Sequence, residues 1–438
     1  MAPGAILKPP TPVPERPMAG STRSSEPFPA EGLPLKQAQA QILEALQPLG
    51  CSEELPLSAC RGRITAEAVT AAAAVPGFRA SIMDGYAIAG DAPPEPGQRW
   101  RLVGRSAAGT PFAGVLAAGE AVRVLTGAVV PQGSGRVLPQ ELVQPLALPQ
   151  GPGLELVRPA GANPWIRGPE EEAAAGQELV AAGCRLGAAE LGRLASCGVE
   201  QLRVWVRPRL GLLISGDELL PPGALRGPGQ IWESNSALLT ALLEQLGYGV
   251  SQQRVVADQP EPLRQALLEL AGCCDVVVST GGVSAGDSDW IRGLVAELGE
   301  VRFWKLFLKP GRPFAWGQVG GTPFFGLPGN PVAAAITALQ LLWPALQRLE
   351  GGEIQWLPRL PVRLEQELRR GAGRPELARA RLVVAPDGML LARVEGSQAS
   401  SRIGSLQAAD LLLEIPAELG TLDAGTELWA QLLLLPIF

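Results

Sequence analysis

The segment Arg209-Leu210-Gly211-Leu212-Leu213-Ile214-Ser215-Gly216-Asp217-Glu218 reads as a buried strand that breaks abruptly into a glycine and two acids. The same form recurs at Asp275-Val276-Val277-Val278-Ser279-Thr280-Gly281-Gly282. Continuous apolar runs of this length, rich in β-branched residues, mark strands covered on both faces, as in parallel sheets. Between them Ser234-Asn235 can cap a helix running to residue 246, with Gly247 to end it, and 261–270 carries a second helical pattern. Strands at 250–256 and 301–308 and helices at 288–298 and 331–349 complete the alternation. The last helix opens on Pro331, where a missing N–H is harmless. Strands and helices alternating over 207–350 predict a doubly wound α/β unit.

Outward from this unit the patterning changes. Residues 1–33 are rich in Pro, Ser and Ala without apolar periodicity, which predicts a disordered tail. A helix is expected over 35–49, and 57–75 reads either as a second helix or as an extended connector. Residues 79–168 hold short apolar runs, at 121–125 and 137–143, between Gly and Pro clusters, so they predict an inserted β module. Helical spacing returns at 188–197, which makes 34–78 and 169–206 the two halves of one discontinuous domain. The stretch 351–438 alternates again at 379–384, 389–394, 411–415 and 428–434, which predicts a small β barrel or sandwich, the barrel being the expectation carried forward. The expected architecture is thus multidomain, α/β plus β.

The composition excludes several function classes. Lys and Arg total 37 against 43 Asp and Glu, a net charge of −6, so the basic excess that nucleic-acid backbones demand is missing. With 0 histidines, Ser-His-Asp and Cys-His nucleophiles and HExxH zinc sites are impossible. Acid–base chemistry must fall to carboxylates, lysines, water or a metal. The 6 cysteines form no CxxC pair and read as reduced thiols of a cytoplasmic protein. No apolar run reaching the ~18 residues of a membrane span is expected, and no signal peptide, so neither a membrane nor a nucleic acid is an expected partner.

In open α/β sheets ligands bind beyond the carboxyl ends of strands, which directs attention to three loops. Asp217-Glu218 offers a carboxylate pair for a cation or a ribose hydroxyl, or else a solvated, capped turn. The run Ser279-Thr280-Gly281-Gly282-Val283-Ser284-Ala285-Gly286-Asp287-Ser288-Asp289 combines adjacent glycines, hydroxyls and a following helix start, a suitable cradle for phosphate. It is neither a Walker A loop nor a GxGxxG fingerprint. The third, Lys305-Leu306-Phe307-Leu308-Lys309-Pro310-Gly311-Arg312-Pro313, carries three cations around a Pro-Gly turn. In a continuous strand Lys305 and Lys309 share a face and point at one anionic ligand, unless they guard an exposed edge.

Taken in order, ISGDEL at 214–219, the Asn235 region, STGGVSAGDSDW at 279–290, FWKLFLKPGRPFAWG at 303–317 and GLPGNPV at 326–332 resemble the molybdopterin molybdenumtransferases, bacterial enzymes related to the gephyrin E domain. The β module agrees: Val75-Pro76-Gly77-Phe78 followed by Ser81-Ile82-Met83-Asp84-Gly85-Tyr86-Ala87 is similar to the family's PGFxxSxMDGYA, and 125–131 to its TGAxxP. The resemblance runs from residue 34 to the C-terminus.

This resemblance implies insertion of molybdenum into adenylylated molybdopterin, using molybdate and a divalent cation, Mg2+, with release of AMP. Phosphoanhydride chemistry relies on positioning and cations more than on imidazole, so a histidine-free chain loses nothing. Carried onto this sequence, it implies catalytic roles for Asp84, Glu218, Asp289, Lys305 and Lys309, with Asp289, Glu218 and Asp258 around the cation. Gly281, Gly282 and Ser284 would cradle phosphate; Thr126, Arg312, Pro328 and Pro331 would contact substrate; Ser400 and Arg379 would face molybdate. Arg312 stands where the family commonly has lysine, which keeps the charge and changes the donor geometry. The resemblance also implies a homodimer with composite sites, in which Asp84 and Thr126 reach the other subunit's cavity, and exchange with upstream and downstream enzymes of cofactor assembly. One stretch departs from the pattern: in Asn163-Pro164-Trp165-Ile166-Arg167-Gly168-Pro169-Glu170 an arginine and an acid of the usual NxRxxGED are missing. A scaffold on the same fold, and the preceding adenylylation step, are the competing readings.

Overall fold

Four parallel strands occupy the middle of the molecule, which is a computed structural model describing residues 31–283, 290–394 and 396–433. The sheet runs in the order Val250–Val256, Leu210–Ser215, Val276–Thr280, Thr322–Leu327, Ala315–Val319, Gly299–Trp304. The first four are mutually parallel and the last two antiparallel. Every residue of Leu210–Ser215 and Val276–Thr280 is buried, as strands covered on both faces must be. One face packs against helices Asn235–Gln245 and Pro331–Thr337, the other against Pro260–Cys273 and Trp290–Leu298. The doubly wound expectation therefore holds, with an added antiparallel edge.

That edge corrects the sequence reading. A strand over 301–308 was expected, yet Gly299–Trp304 stops short because Lys305 adopts φ 84°, a left-handed conformation that ends regular pairing. The chain returns as the hairpin Ala315–Val319/Thr322–Leu327, which the reading missed. Its signal was present: Gly320 and Gly321 take φ 56° and 86°, the positive values that a two-residue hairpin turn demands.

Residues 331–350 are helical throughout but carry a π turn at Ala338–Leu342, just before Pro344. Proline has no N–H to give the carbonyl four residues back, that of Gln340. Gln39 Nε2 donates to that carbonyl at 3.0 Å. Contrary to expectation this helix, 20 residues from Pro331 to Glu350, is long and apolar enough to cross a bilayer, but 89% of its apolar window is buried in the core.

The first helix, Leu35–Ala45, is shorter than the pattern suggested and turns Ala38 and Ile42 into the same core. Leu33 is buried and bridges Leu306, so order begins before residue 34; the rest of the expected tail, 1–30, lies outside the described residues. Gly32 is held there at φ 99°, where a Cβ would meet the Leu306 carbonyl carbon at 2.6 Å. Residues 57–75 are a connector with one turn, Leu57–Ala59, and one short strand, Val69–Thr70. Pairing of Ser52–Pro56 with Gln201–Trp205 and of Val69–Thr70 with Glu178–Val180 joins the two flanks of the insert around Cys60, Leu179, Leu194 and Val204.

Between those flanks six strands form a separate sheet, in the order Ser134–Pro139, Gly85–Ala89, Glu120–Val124, Arg99–Ser106, Gly151–Leu156, Val143–Leu148. The C-terminal strands close a barrel, Arg359–Leu364, Leu390–Arg393, Glu376–Val384, Leu411–Ile415, Glu427–Leu432. All six cysteines are free thiols. Cys273 and Cys274 bring their sulfurs to 3.7 Å, and burial pushes the Cys274 thiol up to about 12.

Candidate active site

The carboxyl ends of three parallel strands open into a cavity of about 1010 Å³ that the barrel closes from the other side. Leu210–Ser215 leads to Ser215 and Glu218, Val276–Thr280 to Gly281 and Gly282, and Thr322–Leu327 to the turn from Pro328 to Pro331. The barrel contributes Arg374, Gln398 and Ser400. The two glycines are required by their backbone. Gly281 has φ 85° and a Cβ there would lie 2.5 Å from the Ser215 carbonyl oxygen; Gly282 has φ 59° and a Cβ would lie 2.7 Å from Ile291.

Two asparagines tie these loops together. Asn235 Nδ2 donates to the Gly329 carbonyl at 2.8 Å and to Thr280 Oγ1 at 3.3 Å. Asn330 Nδ2 donates to Ser400 Oγ at 3.0 Å, while the Val332 N–H donates to the Ser400 carbonyl at 3.1 Å. Neither asparagine caps its helix. The Glu233 carboxylate does that work instead, accepting from the Ser236 N–H at 2.9 Å. Ser215 and Asn235 line the cavity, and their buried Oγ and Oδ1 have no hydrogen-bond partner among the described residues, a cost that a polar ligand relieves.

Lys309, Arg312 and Arg374 supply positive charge to the cavity walls, against Glu218 and Glu233. The same three cations and Arg370 line an adjoining cavity of about 370 Å³. Lys309 Nζ is held 2.9 Å from Glu376, whose other oxygen meets Arg370 at 3.0 Å. Glu376 is only 4% exposed, and its strand neighbours lock onto the same loop through Leu377 N–H to the Lys309 carbonyl, 2.8 Å. Cations at the end of a glycine-lined cleft suit an anion of high charge.

Of the residues singled out from sequence, Glu218, Gly281, Gly282, Lys309, Arg312, Pro328, Pro331 and Ser400 share this cavity. Lys305 does not line it: the common strand face expected for Lys305 and Lys309 does not exist, because the strand has ended at Trp304. Arg379 is buried behind the Ser400 loop, donating from Nε to Ser405 Oγ at 3.1 Å and from Nη2 to the Ala399 carbonyl at 3.3 Å. Asp258 lies beside the cavity, its N–H donating to Asp217 Oδ1 at 3.0 Å. Burial, with the charges of Asp217 and Glu218, raises its carboxyl above the usual range, and its Oδ1 has no partner. Asp84 and Thr126 sit in the inserted sheet, away from the cavity lining; the Thr126 N–H and hydroxyl donate to Asp84 Oδ1 at 2.7 and 2.8 Å and hold that carboxyl below its usual range. Ser284 and Asp289 lie outside the described residues. Among the described residues no three Asp, Glu or Cys converge as a metal cage.

The sequence reading missed Ser215, Asn330, Arg374, Gln398 and Glu376 as parts of the site. Asn330 had a signal, an asparagine before a helix-opening proline within GLPGNPV, but no role was drawn from it. Arg374 and Glu376 had none, since their place depends on how the barrel docks. In the altered stretch Trp165 takes φ 55°, its N–H donates to Asn163 Oδ1 at 2.9 Å, and Ile166–Arg167 pairs with Ala80–Ser81 beside the Asp84 loop.

Three family models match the chain in succession: the MoeA N-terminal region (domain I and II) over 33–198, the probable molybdopterin binding domain over 211–348, and the MoeA C-terminal region (domain IV) over 361–433. A molybdopterin molybdenumtransferase of Haemophilus influenzae is 32% identical, across 90% of this chain and 96% of its own length. Molybdopterin molybdenumtransferase 2 of Mycobacterium tuberculosis is 30% identical, across 89% and 96%. Gephyrin of Dictyostelium discoideum is 28% identical over 91% of this chain and 62% of its own. The crystal structure of a molybdopterin biosynthesis moeA protein from Pyrococcus horikoshii superposes with a TM-score of 0.71 at 27% identity, covering 92% of this chain and 99% of that one. With its strand order, its cavity and these matches in agreement, the chain belongs to the molybdopterin molybdenumtransferase family.

Proposed function

We propose that this chain inserts molybdenum into adenylylated molybdopterin in molybdenum cofactor assembly, taking up molybdate and releasing AMP. The observation that carries this is the cavity where Gly281 and Gly282 face Lys309, Arg312 and Arg374 across unpartnered polar groups. The glycines let a diphosphate approach the backbone closely, and the cations neutralise its charge as the anhydride opens. Lys309 does this from a fixed position, because Glu376 anchors its ammonium. Ser400, held by Asn330, brings the barrel's polar edge to the oxyanion.

The donor set fits Mg2+. Asp258 Oδ1 is partnerless beside Asp217 and Glu218, all hard oxygen ligands. Since no full cage exists among the described residues, one or two of these carboxylates, with Asp289, would share the ion with substrate phosphates. Bound there, Mg2+ supplies charge neutralisation on the phosphoanhydride. Asp84, already ordered by Thr126, serves the site of the second subunit in a homodimer, and the free thiols fit a cytoplasmic setting.

The test is AMP release from adenylylated molybdopterin by the purified chain, with and without molybdate and magnesium. Release that requires both supports insertion. Release indifferent to molybdate, or none with tight pterin binding, refutes it.

A further inference from the structure

Trp232 stands at the rim of the cavity and belongs to no role assigned so far. It is 47% exposed and its neighbour Ile231 49%, so two adjacent apolar side chains stand open at the cavity rim. Yet the residue is tightly held. The backbone is clamped on both sides, Ile231 N–H donating to the Glu218 carbonyl at 2.9 Å and Glu233 N–H to the Leu220 carbonyl at 2.7 Å. The indole N–H donates to the Ala224 carbonyl at 2.9 Å, and the Arg226 guanidinium sits 4.1 Å from the ring centroid, covering one face. An indole fixed in orientation, backed by a cation and left open at the mouth of a cleft is a stacking platform. The cavity, about 1010 Å³, has room beyond what a diphosphate fills.

We propose that Trp232 stacks against the planar, nitrogen-rich bicyclic ring of the substrate while the cations at the other wall take its phosphates. This inference rests on the reading of the cavity as the substrate site and adds to it the residue that recognises the ring. Adenine and pterin share that chemistry, and binding experiments separate them.

Affinities of the full-length chain for AMP, for pterin and for inorganic diphosphate are measured by calorimetry, beside Trp232→Ala and Trp232→Phe. Stacking of one ring on one aromatic side chain predicts that Trp232→Ala weakens AMP or pterin by about tenfold or more and leaves diphosphate unchanged. Trp232→Phe recovers affinity to within about threefold, since phenyl keeps a π face, but loses the ligand-induced quenching of indole fluorescence. The ring ligand that responds identifies the source. Equal weakening of diphosphate, no weakening of either ring ligand, or a changed oligomeric state with unchanged affinities overturns the proposal. Diphosphate binding without any AMP or pterin binding also overturns it, and leaves insertion standing. Conversely, Trp232-dependent ring binding with no molybdate-dependent AMP release keeps the platform and refutes insertion.

Discussion

The cavity of the α/β unit and the Asp84 loop of the inserted sheet both carry family motifs, but they differ in what their polar groups already touch. In the cavity Ser215 Oγ and Asn235 Oδ1 are buried and unpartnered among the described residues, and three cations face few carboxylates. In the inserted sheet Asp84 is satisfied by its own neighbour, through two bonds from Thr126. Unmet hydrogen-bonding capacity is expensive when buried, so it persists where a ligand completes it. The Asp84 carboxylate is already ordered by its neighbour and lies outside the cavity lining. The contrast separates a site with unmet polar groups from a loop satisfied within the chain, and it is on this loop that the proposal of a second subunit's contribution bears.

The sharpest way to break the first half of that contrast is Glu376→Gln. Glu376 is nearly inaccessible and partners two cations, one of them the almost equally buried Arg370. Removing the charge leaves the largely buried Arg370 guanidinium with only the Pro416, Leu419 and Arg374 carbonyls and no carboxylate, with an expected loss of about 3–5 kcal/mol in unfolding free energy by urea titration. A loss under 1 kcal/mol means that water reaches this cluster and that Glu376 does not fix Lys309. Next comes Lys309→Ala, which leaves the fold intact because the lysine is about half exposed, side-chain exposure 45%. AMP release should fall about 100-fold, the typical effect of deleting one preorganised charge donor at a reacting centre. Unchanged release would move the phosphates elsewhere.

The second half is tested by mixing. Asp84→Asn should lower AMP release about tenfold on its own, and Lys309→Ala inactivates the cavity. If each active site takes Lys309 from one subunit and Asp84 from the other, equal mixing of the two variants restores activity to about one quarter of wild type, because random pairing rebuilds one intact site in half of the dimers. No recovery after subunit exchange is verified means that both residues act within one chain.

Legibility in the sequence followed the same division. The parallel strands announced themselves, because residues such as Val276, Val277 and Val278 are buried on both faces and their apolar run has no other use. The glycine loop was readable for a related reason: Gly281 meets the Ser215 carbonyl so closely that no other residue fits. What stayed hidden depended on distant packing. Lys305 and Lys309 looked like one strand face because local alternation cannot reveal a left-handed residue, and Lys305 is not a type that favours one. Arg374 reaches the cavity, and Glu376 reaches Lys309, only through the docking of the barrel, through contacts such as Lys309 N–H to the Pro375 carbonyl at 2.9 Å. Asn235 and Asn330 were ambiguous, since the residue type that caps a helix is also the one that bridges loops.

The smallest expected effect bears on how Asp84 is held. Its carboxyl lies below the usual range because the Thr126 N–H and then the Thr126 hydroxyl donate to the charged form. A depressed folded-state pKa stabilises the fold above the unfolded value of about 3.9 and loses that contribution as pH falls through the folded value. Thr126→Ala removes the hydroxyl and keeps the N–H, so the variant should have a slightly lower urea midpoint than wild type at pH 7. The gap should shrink as pH falls through the lowered folded-state value and the carboxyl takes up its proton. In an Asp84→Asn background the hydroxyl has no charge to serve, and the gap should be small throughout the range. A gap that persists unchanged through the acid range would mean that Thr126 holds the loop by packing alone. Asp84 would then be ordered by its neighbours' shape rather than by its charge, and the case for a carboxylate prepared for a second subunit would rest on the mixing experiment.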